Sequence, residues 1–167
     1  MDSHRLEIAL GQPFESPEVQ SLVKELGLTK APKAKKDDPD SYLANKALGA
    51  ELMFVDNDYI ERKKVARYGN APMIFVGATL YSGGQTDDPS MRRFGGPLPG
   101  GATFDDGVEL LVAKLGTPTR VYEDDGVVYT RTWVRDGRRV TFNYNEAGTL
   151  QYLQINWDVY MIRVREG

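Results

Sequence analysis

The sequence predicts an α+β fold of two tandem repeats, each a helix followed by an antiparallel meander, with the helices packed on one face of the sheet. Three observations predict it. A helical apolar spacing occurs twice, from Val19 and from Val108, each time after a phenylalanine (Phe14, Phe104) and each time closing on a Leu-Gly pair. The stretches that follow read as strands broken by short turns. Between the copies, residues 82–101 hold six glycines and three prolines. The expected organisation is a first repeat over 1–81, a Gly/Pro-rich linker over 82–101 and a second repeat over 102–167.

The first helix is framed by Ser16-Pro17, an N-cap followed by a first-turn proline, and by Gly27 at its end. Val19, Leu22, Val23 and Leu26 fall on one face. Lys30 to Asp40 reads as a polar loop. Tyr42-Leu43, the run Glu51 to Val55 and the run Met73 to Val76, prolonged by Ala78 to Tyr81, read as two or three strands, with Leu48-Gly49 and Asp56-Asn57-Asp58 as interruptions. In the second repeat, Asp105 or Asp106 can cap a helix that presents Val108, Leu111, Val112 and Leu115. Val127 to Arg135 and Arg138 to Asn145 flank Asp136-Gly137, the strongest short hairpin signal. After the turn at Glu146-Ala147-Gly148, Thr149 to Asp158 reads as a third strand, which Val159 to Val164 can extend.

Alternation sorts these strands into two faces. Val140, Phe142 and Tyr144, Leu153, Ile155 and Trp157, and Tyr129 and Trp133 read as core. Thr130, Thr132, Thr141, Asn143, Tyr152, Gln154 and Asn156 form the opposite face. That face is uncharged, rich in hydrogen-bonding groups and centred on an exposed tyrosine, which suits a platform for another protein. Candidate partner-binding residues are Tyr152, Gln154, Asn156, Asn143, Thr141, Thr132 and Asp158, with Arg92 and Phe94 from the linker.

Composition narrows the function. The 167-residue chain has no cysteine and one histidine, His4. That excludes thiolate chemistry and Cys-zinc sites, and it argues against a Ser-His-Asp triad. The net charge of −3 does not favour nucleic acid as a partner. No stretch has the ~20 apolar residues that span a bilayer. No phosphate loop, dinucleotide fingerprint or calcium loop is present. The expectation is a protein that is not an enzyme and needs no cofactor or metal.

The unit of a helix, a Leu-Gly-x-Pro end and an antiparallel meander resembles the small repeat of β-lactamase inhibitor protein and of outer-membrane assembly lipoproteins. Leu115-Gly116-Thr117-Pro118 matches that signature, and Leu26-Gly27-Leu28-Thr29 matches it without the proline. The stretch Gly96-Pro97-Leu98-Pro99-Gly100-Gly101-Ala102-Thr103-Phe104 resembles bacterial immunity proteins paired with polymorphic or contact-dependent toxins. The resemblance implies binding through a sheet surface, with no catalytic residues. The secreted relatives carry export signals, and the start of this sequence shows none, so an inhibitor of this type is expected in the cytoplasm. The leading expectation is a cytosolic immunity protein that binds and inhibits a cognate toxin. The alternative is a scaffold or assembly domain that binds another bacterial protein.

Overall fold

The computed structural model describes residues 2–84 and 88–165. Seven strands form one antiparallel sheet: β1 (Asp40–Asn45), β2 (Ala50–Asp56), β3 (Met73–Tyr81), β4 (Arg120–Asp124), β5 (Val127–Arg135), β6 (Arg138–Tyr144) and β7 (Leu150–Trp157). Their order is β1-β2-β3-β7-β6-β5-β4. Strands that follow one another in β1-β2-β3 and in β4-β5-β6-β7 pair antiparallel, and the two runs join where β3 pairs with β7, Thr79 opposite Gln154 and Tyr81 opposite Tyr152. The fold is therefore α+β with an antiparallel sheet.

Among the described residues five α-helices dress the sheet: α1 (Ser3–Ala9), α2 (Pro17–Glu25), α3 (Asn57–Ile60), α4 (Val108–Leu115) and α5 (Asp158–Arg165). Helices α1, α2 and α4 share a core with one face of the sheet, in which Leu6, Val19, Leu22, Leu26, Phe54, Phe75, Leu111, Phe142, Leu153 and Ile155 are all fully buried. Burying an aliphatic or aromatic side chain of this size contributes about 1.5–3 kcal/mol, which is what holds these short helices in place. Helix α2 forms as the sequence reads, with the Ser16 hydroxyl accepting from the Val19 amide and Pro17 in the first turn.

Several elements differ from the sequence expectation. Helix α1 was not foreseen; Asp2 caps it and it buries Leu6 and Ala9. In α4 only Leu111 is fully buried, while Val108 is 38% exposed and Val112 and Leu115 are partly so. Neither Asp105 nor Asp106 caps α4: Gly107 is its N-cap, and Asp106 instead closes the preceding turn by accepting from the Thr103 amide and hydroxyl. The second half has four strands, because Arg120–Asp124 forms an edge strand exposed along its whole length. Val159 to Val164 does not extend β7. It belongs to α5, which with α3 packs on the other face of the sheet, around Val55, Ile60, Ile74, Val76 and Tyr160. Residues 88–101 are not a bare spacer. Met91, Phe94, Leu98 and Pro99 are buried, and the Phe94 amide donates to the Tyr81 carbonyl at 2.9 Å. Gln85, Thr86 and Asp87, at the start of the predicted linker, lie outside the described residues.

Candidate functional site

The face away from α1, α2 and α4 changes character along its strands. At one end β2 and β3 present Val55, Ile74 and Val76, and α3 and α5 cover them. At the other end the same strands present Glu51, Met53, Gly77, Thr79 and Tyr81, which line an open hollow, with Met53 also packing on the edge of the α3/α5 cluster. The switch depends on a β-bulge. Phe54 pairs with Phe75 but Met53 pairs with Gly77, so Val76 is an extra residue on β3. An inserted residue reverses the alternation. Without it, Thr79 and Tyr81 would share the core face of Phe75.

The open end forms a hollow of ≈ 470 Å³ lined from four strands: Tyr42 of β1, Glu51 and Met53 of β2, Gly77, Thr79 and Tyr81 of β3, and Tyr152, Gln154 and Asn156 of β7, with Asp88 and Asn145 at its rim. Gly77 is its floor. A Cβ at that position would lie 2.3 Å from the Asn156 Oδ1 and 3.0 Å from the Ile155 carbonyl oxygen, so no larger residue fits without displacement. The Tyr81 and Tyr152 rings stand 6.1 Å apart, tilted by 48°. The Tyr81 hydroxyl and the Glu51 carboxylate are neighbours in the lining.

The electrostatics follow from this packing. Burial pushes the Glu51 carboxyl above the usual glutamate range, against the smaller opposing effect of the Tyr81 hydroxyl. Tyr81 is pushed up to about 12, first by burial and then by the charge of Glu51. Tyr42 is raised by burial and by the charges of Asp40 and Glu51. At the rim, Asp88 is held at about 2, chiefly by the Lys46 ammonium at 2.7 Å and then by the Ser90 hydroxyl and amide.

The sequence-predicted residues divide into three groups. Tyr152, Gln154 and Asn156 line the hollow, and Thr141 and Asn143 continue its surface on β6, opposite Gln154 and Tyr152. Thr132 lies on that face too, but it is buried: it pairs with Thr141 across the strands, their hydroxyls 3.1 Å apart. Asp158 and Phe94 are buried and do not line the hollow. The Asp158 carboxylate sits at the start of α5 and accepts from the Arg139 Nε at 2.9 Å and Nη2 at 2.5 Å, forming a buried ion pair. Phe94 is 5% exposed because its ring fills the helix-side core. Arg92 is exposed, with its amide tied to the Lys46 carbonyl, and does not line the hollow. Trp157, read from alternation as core with Leu153 and Ile155, is half-buried: it lies against Gly11 and packs on the cluster under α3 and α5.

Tyr42, Glu51, Thr79 and Tyr81 were missed by sequence reasoning. Alternation along β2 assigns Glu51 to the face opposite Leu52 and Phe54, but only the β3–β7 pairing brings it near Tyr152. Among the described residues no group of His, Cys, Asp or Glu is arranged to hold a metal, and no helix is long and apolar enough to cross a membrane. A second hollow, lined by Lys33, Lys36, Arg67 and Glu15, lies between the loops that precede β1 and β3 and carries mixed charge.

No family model matches the chain, and no curated protein matches it at a significant level. Among solved structures it is similar to the crystal structure of a DUF4309 family protein (YjgB) from Bacillus subtilis, with a TM-score of 0.41 and 12% identity, covering 83% of this chain and 76% of that one. A likeness of that size assigns neither family nor function.

Proposed function

We propose that the chain is a non-catalytic binding protein that holds a partner protein against the open face of its sheet, and that the partner is a bacterial toxin domain inhibited in the cytoplasm. The observation that carries the binding reading is the hollow at the β3–β7 junction. It is built from four strands, so its shape is set by the sheet rather than by loops, and its wall is hydrogen-bonding and aromatic. Such surfaces suit protein contacts, in which tyrosines anchor and neutral polar groups complete the hydrogen bonding. The toxin reading is supported by the resemblance of Gly96 to Phe104 to immunity proteins. The repeat reading is supported by the helix with a Leu-Gly end that precedes each run of strands, β1-β2-β3 and β4-β5-β6-β7.

The test is co-expression with the product of the neighbouring reading frame, followed by calorimetry on the purified complex. Tyr152→Ala should weaken binding by at least ~30-fold, the loss of one anchor. Gln154→Arg, which fills the hollow without touching the core, should abolish it. Equal affinity for wild type and both variants moves the binding surface elsewhere.

A further inference from the structure

We infer that the hollow takes a cationic side chain, a lysine or arginine of the bound partner, seated beside Glu51 and walled by Tyr42, Tyr81 and Tyr152; this deepens, and rests on, the partner-binding reading above. Charge points to it first. Glu51 is a half-buried carboxylate beside the neutral hydroxyl of Tyr81, and among the described residues it forms no ion pair. Its companion acid, Asp88, is already matched by Lys46. Among the described residues lining the hollow there is no lysine, arginine or histidine. A carboxylate drawn out of water without a counter-ion is costly, and a cation arriving from outside removes that cost.

The walls select the same chemistry. Tyrosine rings attract a cation through their negative faces. Tyr42, 54% exposed, leaves its ring available at the mouth, while Tyr81 and Tyr152 converge from adjacent strands. The hollow of ≈ 470 Å³ above Gly77 leaves room for a long, unbranched stem. Around the head group, Thr79, Gln154 and Asn156 offer side-chain oxygens to N–H donors. An aliphatic side chain would fill the same space but leave Glu51 desolvated and unpaired. An anionic one would be repelled.

The probes are Nα-acetyl-lysine methylamide and Nα-acetyl-arginine methylamide, with the norleucine analogue as the uncharged match in shape. Titrations are followed by the ring resonances of Tyr42, Tyr81 and Tyr152 in aromatic NMR spectra. Both cations should shift those signals and norleucine should not. Glu51→Gln, isosteric and checked by its amide spectrum, should weaken the cations at least ~10-fold. Tyr42→Leu, at an exposed position that cannot unfold the protein, should weaken them as well. Norleucine binding as well as lysine, or cations binding Glu51→Gln as they bind wild type, overturns the inference. The partner complex separates this failure from that of the broader reading. A partner that loses affinity for Gln154→Arg but not for Glu51→Gln keeps the face and removes the cation. A cation site that depends on Glu51 in a protein with no protein partner keeps the charge preference and removes the partner.

Discussion

Replacing Asp158 with alanine isolates the fold's buried ion pair. The carboxylate and the Arg139 guanidinium keep only 12% and 8% of their side-chain exposure, at 2.5 Å from each other. Removing one member of a buried pair leaves the other charge uncompensated, typically at 3–5 kcal/mol. The residual exposure of Asp158 places this pair at the lower end, about 3 kcal/mol. Asp158 also lies in the first turn of α5, where loss of an acid adds ~0.5 kcal/mol. The sum, about 3.5 kcal/mol, corresponds to a melting temperature lower by roughly 7–14 °C for a chain of this size. Urea denaturation and calorimetry at neutral pH measure both quantities. Arg139→Met combined with Asp158→Ala removes both charges and should recover at least ~1 kcal/mol relative to Asp158→Ala alone. A single variant losing less than ~1 kcal/mol, or a double variant no better than the single, refutes the assignment of this pair as buried and mutually dependent.

Three other outcomes follow from the same structure. Leu111→Ala should cost about 2–5 kcal/mol whereas Val108→Ala, on the exposed side of α4, should change stability by less than ~0.5 kcal/mol; equal losses in urea denaturation would mean that α4 is rotated about its axis. Gly77→Ala should destabilise by about 1–3 kcal/mol through its clash with Asn156, and an unchanged melting temperature would show that the floor of the hollow is not tight. Because the folded state holds Glu51 above its ordinary pKa, folding favours its protonated form, and its contribution to stability is present at low pH and lost as pH rises through the folded value. Glu51→Gln should therefore melt above wild type at neutral pH, with the gap closing as pH falls below the ordinary glutamate range; a gap independent of pH contradicts the burial of that carboxylate.

What was legible in the sequence was local. Helix α2 could be read because its cap, its first-turn proline and its apolar face agree with one another. Strands β5 and β6 could be read because Asp136 and Gly137 both take positive φ, as a two-residue hairpin requires. Strand β4 could not, because an edge strand exposed on both faces has no apolar pattern: Val121 is 49% and Tyr122 58% exposed. The apolar residues of 159–164 fit a strand or a helix equally well over so short a span. The candidate site was half legible for the same reason. Tyr152, Gln154 and Asn156 follow from alternation within β7. Tyr81 needs the bulge at Val76, which shifts the phase of β3 by one residue, and its meeting with Tyr152 spans 71 positions of chain. Neither leaves a signal in composition or periodicity.

The open end of the sheet, and not the helical side, is the surface proposed to receive the partner. Amide hydrogen exchange of the chain, free and in complex with the co-expressed neighbouring product, tests it most directly. Protection gained in β1, β2, β3 and β7 around Tyr42, Glu51, Thr79 and Gln154, with α1, α2 and α4 unchanged, is the predicted result. Protection confined to α4 and the exposed edge strand β4 would contradict it.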